Sequence, residues 1–126
     1  MIFEIRERPD GKFVECACGG TVTSASVADA ITEMRKVDGY ADGLNSLWDF
    51  READLSELSV GEMKTILEFM EQTPKRRSAR IALLAAKKPD LLLLELWRVV
   101  SADRYGQSTV LFPDYDEACL WLAASD

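Results

Sequence analysis

The stretch LWDFREADLSELSVGEM, residues 47–63, indicates how this chain is built. Its beginning belongs to a short apolar strand, SLWDF, which is predicted to end beside Asp49, and its second half reads as a helix. Ser59 precedes Glu62 by three residues, which is the capping-box spacing that satisfies free N–H groups of a first helical turn. A strand that runs through a short loop into a capped helix is typical of an α/β protein.

The residues before this unit predict an antiparallel hairpin and a helix. IFEIRER and KFVECAC alternate apolar and polar residues, and Arg8-Pro9-Asp10-Gly11 supplies turn residues between them. Gly19-Gly20 is predicted to end the second strand. The helix that follows is predicted from an apolar recurrence at i, i+4 and i+7, and its expected cap is Ser24 or Ser26.

The residues after it predict two further strand–helix pairs. The second helix should end near Thr73-Pro74, because a residue before proline disfavours the helical region. ARIALLAA (79–86) reads as a buried strand, PDLLLLELWRVVSADR (89–104) as a helix, STVLF as a strand and DYDEACLWLAAS (114–125) as a terminal helix. The order β-β-α-β-α-β-α-β-α favours right-handed crossovers and a mostly parallel sheet with an antiparallel edge. We expect one domain over residues 1–126.

The leucine-rich third helix carries more apolar side chains than one sheet covers. Leu93, Leu96, Trp97 and Val100 share a helical stripe and are predicted to face the sheet. A helix that is apolar on nearly all sides needs a further partner, which is a second copy of the chain, a lipid-like ligand or the terminal helix. We expect a homodimer. The candidate interface residues are Leu91, Leu92, Glu95, Arg98 and Val99.

Composition and charge exclude several classes of function. The net charge is −7, and a field of that sign repels nucleic acid and anionic membrane surfaces. The basic run PKRRSAR, residues 74–80, is interpreted as a solvated loop. No apolar run approaches a membrane span and no signal peptide is evident, so we expect a cytoplasmic protein.

The inventory of reactive side chains argues against common catalytic sites. The chain has no histidine, which removes serine–histidine and cysteine–histidine chemistry and histidine metal ligands. Neither the GxGxxG nor the GxxxxGK[ST] fingerprint of nucleotide binding occurs. The three cysteines are expected to be reduced, with Cys16 and Cys18 packing beside Val14 on one face of a strand. A zinc site would lack a fourth ligand. We therefore expect no enzyme activity, no metal and no cofactor.

Three segments carry a resemblance to a known family. LWDFREADLSELSVGEM, RRSARIALLAA and VLFPDYDEACLWL resemble segments of small bacterial SpoIIAA-like proteins of the STAS superfamily (sulfate transporter and anti-sigma-factor antagonist domains). The resemblance implies a SpoIIAA-like fold and a regulatory, protein-binding role. Phosphorylated members carry an Asp-Ser-Ser-Gly-type motif after a strand, whereas here Asp49 is followed by Phe50 and Arg51. Ser56 and Ser59 remain the candidate phosphorylation sites.

Three functions stay open from the sequence. The first is a dimeric, non-enzymatic interaction or regulatory module with a possible protein partner. The second is a carrier or sensor of a small apolar or anionic molecule. Its pocket lies beneath the leucine-rich helix or at the carboxyl ends of the strands, where open α/β sheets bind ligands. The candidate residues at those ends are Asp49, Arg51, Lys87 and Lys88. The third is an enzyme that uses a carboxylate, Asp49 or Asp54, or a thiol, Cys16 or Cys18.

Overall fold

A computed structural model describes residues 1–10, 12–102 and 108–124 of the chain. Its elements are β1 (Ile2–Arg8), β2 (Phe13–Thr21), α1 (Ser24–Met34), β3 (Asn45–Asp54), α2 (Val60–Glu71), β4 (Arg80–Leu84), α3 (Lys88–Ser101), β5 (Ser108–Phe112) and α4 (Tyr115–Ala123). The predicted order of strands and helices is confirmed. Gly11 of the predicted turn and residues 103, 104 and 125 of the predicted helices lie outside the described residues.

The five strands form one sheet in chain order, β1-β2-β3-β4-β5. The β1–β2 pair is antiparallel and the other three pairs are parallel, as predicted. Right-handed crossovers between strands in chain order put their connecting helices on the same face of the sheet. The larger core cluster lies on this face, against α1, α2 and α3, whereas a smaller cluster packs α4 on the opposite face. We call these the three-helix face and the α4 face.

Two strands are longer than the sequence suggested. β2 continues to Thr21 instead of ending at Gly19-Gly20, and its register with β3 shifts between Ala17 and Gly19. β3 runs to Asp54, so the expectation that the strand ends beside Asp49 is wrong. The residues after Asp49 are mostly polar and do not predict a strand from the sequence. Pairing with β2 nevertheless holds them in the sheet.

The helix caps show one correction and one confirmation. The N-cap of α1 is Thr23, neither Ser24 nor Ser26. Its hydroxyl accepts from the N–H of Ser26 at 3.2 Å, and the Ser26 hydroxyl accepts from the N–H of Thr23 at 2.8 Å. Ser59 caps α2 as predicted, since its hydroxyl accepts from the N–H of Glu62 at 3.1 Å.

The third helix is rotated from its predicted orientation. Leu94 is its buried residue, while Leu91, Leu93 and Trp97 pack against the larger core cluster. The expectation that Leu96 faces the sheet is wrong, because 38% of this residue is exposed. A helix with leucines on most sides has several plausible stripes by spacing alone, and the packing surface selects among them.

Side chains from two strands anchor the end of α4. The Arg80 guanidinium donates to the carbonyls of Trp121 at 2.8 Å and Ala124 at 2.6 Å, which satisfies acceptors that a helix end leaves free. The Asn45 amide donates to the carbonyl of Leu122 at 2.9 Å. α4 is therefore held against the sheet by polar contacts as well as by its buried Ala118 and Leu122.

Candidate ligand-binding site

A cavity of about 320 Å³ lies on the three-helix face, between the sheet and the helices. We call it the main cavity. Strands β3 and β4 form its floor, and α1, α2 and α3 each contribute to its sides. Its apolar lining includes Ile31, Trp48, Phe50, Ile66, Leu83 and Leu94. Apolar side chains surround it on several sides, as in a pocket for an apolar molecule.

Strand alternation positions the aromatic floor. Trp48 and Phe50 are two residues apart on β3, so both side chains leave the sheet on the three-helix face. Their rings are stacked, with centroids 6.1 Å apart and planes inclined by 19°. Both residues are buried, which gives the cavity a rigid, polarizable surface.

Trp97 of α3 stands between the main cavity and a smaller one. The second cavity has a volume of about 80 Å³ and also involves Met70 and Ile81, which line the main cavity as well. Leu94, one turn before Trp97, is the fully buried side chain of α3. The helix thus covers the cavity through few deeply packed side chains.

The mouth of the main cavity is cationic. Pro74 and Lys75 are its exposed lining residues, so the opening lies where α2 ends and the chain turns towards β4. Arg35 and Arg76 also line the cavity, and none of its described lining residues is acidic. We call Arg35, Lys75 and Arg76 the cationic mouth. In a chain with 22 acidic residues and a net charge of −7, this local excess of positive charge is distinctive.

Two of the residues predicted at the strand ends, Asp49 and Arg51, form an ion pair on the α4 face. The Arg51 guanidinium donates to the Asp49 carboxylate at 3.0 Å and 2.9 Å, and this hydrogen bonding raises the pKa of Arg51. The Arg51 guanidinium carbon also lies 5.2 Å from the centre of the Tyr115 ring. Asp49 and Arg51 therefore neutralise each other, away from the main cavity.

The other two predicted residues, Lys87 and Lys88, are exposed at the start of α3. Lys87 is the N-cap position without a side-chain cap. Hydrogen bonding from Ser56, whose N–H donates to Asp54 at 2.9 Å, is the main cause that lowers the pKa of Asp54, and the charge of Lys87 adds a smaller effect. The structure does not bring the lysines together with Asp49 and Arg51, and their role in binding stays a prediction.

The predicted interface residues are partly at the surface. Leu92 and Val99 are 64% and 59% exposed, and with Leu96 they form an apolar stripe at i, i+4 and i+7, which we call the α3 patch. Glu95 and Arg98, predicted beside them, form an ion pair that lowers the pKa of Glu95. Leu91 is half-buried and packs against the core, and its place in an interface stays a prediction.

Sequence reasoning missed the cationic mouth and a second polar cluster. The sequence predicts that the run PKRRSAR is solvated, whereas Arg76 is half-buried and lines the main cavity. Its position between a helix end and a buried strand was the available signal. On the α4 face, Glu15 is 1% exposed, and its carboxylate accepts from Arg6 at 3.1 Å and from Tyr115. The polar residue within the otherwise apolar run FVECAC was the signal for this buried group.

Metal binding and membrane spanning find no support in the described part of the chain. Among those residues, no cluster of three or more histidine, cysteine or carboxylate side chains has the arrangement to hold a metal ion. No described helix combines the length and the apolar character that a membrane crossing requires.

Comparisons with known proteins identify the fold. No protein-family model and no curated protein matches the sequence. Among solved structures, this chain is similar to an uncharacterised protein of the DUF3478 family, with a SpoIIAA-like fold, from Shewanella loihica PV-4. The TM-score is 0.63 at 16% sequence identity, over 96% of this chain and 92% of the other. The chain has a SpoIIAA-like fold.

Within this SpoIIAA-like fold, the two candidate phosphorylation sites lie between β3 and α2. Ser56 is exposed in the turn where its own N–H binds Asp54, and Ser59 is engaged as the N-cap of α2. Both positions have a structural explanation from hydrogen bonding, and phosphorylation at either one stays a prediction.

Proposed function

We propose that this protein binds a small, largely apolar molecule in the main cavity and acts as a carrier or sensor of it. The observation that carries the proposal is the cavity itself, with its volume of about 320 Å³ and its aromatic and aliphatic lining. Ligand pockets typically measure about 300–1,000 Å³. An open cleft of this size with an apolar lining favours an apolar occupant.

The side chains around the main cavity favour binding over catalysis. Its described lining contains neither a carboxylate nor a cysteine, and the chain has no histidine, so the commonest general bases and a thiol nucleophile are absent from that lining. The two thiols considered for an enzyme, Cys16 and Cys18, are buried in the core beneath α1. We therefore propose a non-enzymatic protein.

The cytoplasm is the proposed location. The Sγ atoms of Cys16 and Cys18 lie 3.7 Å apart without forming a disulfide, and Cys119 is also free. Unbridged neighbouring thiols are expected in a reducing compartment.

The test begins with native mass spectrometry of freshly purified protein beside its denatured mass. An added mass that is lost on denaturation identifies a bound molecule. A titration with methyl decanoate, an uncharged apolar probe, follows the tryptophan fluorescence, to which Trp48 and Trp97 in the cavity lining contribute. We expect micromolar binding. The proposal fails if the purified protein carries no added mass and does not bind the probe.

A matched pair of variants locates the probe. Ile66→Phe adds volume inside the main cavity, while Leu120→Phe changes a side chain that is 73% exposed on α4. We expect Ile66→Phe to weaken binding about tenfold or more, and Leu120→Phe to leave it unchanged. Circular dichroism confirms that both variants are folded. Equal affinities of the two variants would place the probe elsewhere.

The α3 patch favours a second candidate, a regulatory module that pairs with another copy of itself. Exposed apolar stripes of this kind mark protein interfaces, and symmetric dimers are the commonest oligomers. Light scattering at micromolar concentration should then report a dimer for the wild-type protein. The double variant Leu92→Lys with Val99→Lys should be a monomer, and the control Leu120→Lys should remain a dimer. A monomeric wild-type protein excludes this candidate.

A further inference from the structure

Arg76 lines the main cavity and has hydrogen-bond donors that no described residue uses. Its Nη2 donates to the carbonyl of Leu44, and its guanidinium carbon lies 3.7 Å from the centre of the Tyr40 ring. Its Nε and Nη1 are buried and have no hydrogen-bond partner among the described residues. These two nitrogens carry three N–H bonds, and burying a charged donor without an acceptor is unfavourable. An acceptor on a bound molecule would relieve that cost.

Neighbouring backbone contacts hold this arginine in place. The N–H of Arg77 donates to the carbonyl of Ala41 at 3.0 Å, and Arg35 donates to the carbonyl of Pro74 at 3.1 Å. The segment that carries Arg76 is thus tied to α1 and to the loop that follows it. A guanidinium that is held on an aromatic ring at the wall of a cavity is preorganised for an anion.

The charges around Arg76 determine which end of a bound ligand would lie beside this residue. Arg35 and Lys75 line the same opening, and no acidic residue does among the described lining residues. The interior behind them is formed by Trp48, Phe50 and Leu94. The main cavity is therefore amphipathic, with apolar walls and a cationic mouth.

From this arrangement we infer that the ligand is an amphipathic carboxylic acid, whose apolar chain fills the main cavity and whose carboxylate binds Arg76 at the cationic mouth. The inference rests on the proposed function and specifies the class of molecule. A planar carboxylate matches the fixed directions in which the remaining N–H groups of a guanidinium donate hydrogen bonds. Arg76 precedes β4 by four residues, so the anion lies at the amino ends of the parallel strands. This is the edge opposite Lys87 and Lys88.

The experiment compares decanoate, methyl decanoate and decyl phosphate as probes of the full chain near neutral pH. Decanoate and its methyl ester share a chain but differ in charge. We expect decanoate to bind the wild-type protein about ten- to a hundredfold more tightly than the ester, as for a hydrogen bond to a charged group. Protonating the acid by lowering the pH should abolish this preference in the wild-type protein itself.

Two arginine variants with the same change of charge give the control. Arg76→Gln should remove the preference for decanoate, because it weakens the binding of decanoate far more than that of the ester. Arg77→Gln, at an exposed neighbour outside the cavity lining, should keep the preference. Arg76→Lys retains the charge and should keep part of the preference, which provides a second reading if Arg76→Gln is poorly folded.

The outcomes separate the inference from the proposed function. Equal binding of decanoate and its ester by the wild-type protein overturns the inference but leaves the cavity as an apolar site. An equal loss of both probes in Arg76→Gln also overturns it. Decyl phosphate binding more tightly than decanoate overturns the assignment of a carboxylate. If neither decanoate nor the ester binds and the purified protein carries no added mass, the proposed function itself fails.

Discussion

The hydroxyl of Tyr115, on α4, donates a hydrogen bond to the carboxylate of Glu15, which is buried on β2. Arg6 and Arg8, on the neighbouring β1, donate to the other carboxylate oxygen at 3.1 Å and 3.5 Å. A buried carboxylate is tolerated where donors and opposite charges surround it. Tyr115 thus couples the docking of α4 to the charge balance of the sheet.

Tyr115→Phe should reduce the free energy of unfolding by about 1–3 kcal/mol, because the buried Glu15 carboxylate loses a donor. Urea unfolding near neutral pH measures this loss. Leu120→Ala serves as the control, since it changes a largely exposed side chain on the same helix. A loss no larger than that of Leu120→Ala would show that Arg6 and Arg8 alone are enough to stabilise the buried Glu15 carboxylate.

The same residue predicts a dependence on alkaline pH. Burial, and then the hydrogen bond to Glu15, raise the pKa of the Tyr115 phenol above its ordinary value near 10. The folded state therefore favours the neutral phenol, and this stabilisation is complete below about pH 10 and is lost as the pH rises above it. We expect the difference in unfolding free energy between wild type and Tyr115→Phe to shrink above that pH. A constant difference would contradict the role of the phenol proton.

Gly43→Ala should destabilise the protein more than Gly39→Ala. Both glycines have positive φ, +100° and +85°, and forcing alanine there costs about 1–3 kcal/mol. Only at Gly43 would the new Cβ lie 2.9 Å from the carbonyl oxygen of Ser78, whereas at Gly39 its nearest neighbour, on Leu44, is 3.9 Å away. Urea unfolding of both variants gives the comparison. Equal losses would show that the segment around Ser78 moves aside freely.

Ser59→Ala should lower the free energy of unfolding by about 0.5–2 kcal/mol, because α2 loses the side chain that caps it. Ser59→Asp retains an acceptor at the N-cap and places a negative charge beside the helix N-terminus, so it should keep most of the stability. Thermal or urea unfolding distinguishes the two. Equal destabilisation by alanine and aspartate would mean that Ser59 does not stabilise α2 through its cap.

The thiols should differ in their reactivity towards iodoacetamide at about pH 8. Burial raises the pKa of Cys119, and contact with Cys16 together with burial raises the pKa of Cys18, so little thiolate forms at either residue. Cys119 is only partly buried and should be labelled slowly, whereas the buried Cys16 and Cys18 should react only after unfolding. Peptide mapping measures each site. Rapid labelling of Cys16 or Cys18 in the folded protein would restore the thiol-based enzyme as a hypothesis.

Local patterns were sufficient to predict the order of elements. Alternation in IFEIRER and KFVECAC and the cap at Ser59 depend on contacts within a few residues, so they are legible in the sequence. The continuation of β3 beyond Asp49 could not be predicted from local patterns, because its polar residues join the sheet through pairing with β2. The cap at Thr23 was missed by one residue, because several hydroxyls follow one another at that point.

The sequence by itself determined the α/β class, the antiparallel edge and the succession of parallel strands, because hydrophobic periodicity and short connections are local properties. Only the tertiary structure decided which side of α3 is buried, how Glu15 is neutralised and where the main cavity opens. Arg76 is distant in the chain from Arg35 and Tyr40, and it meets them only after the helices pack on the sheet. Their proximity depends on contacts between residues distant in the chain, and no spacing within the sequence records it.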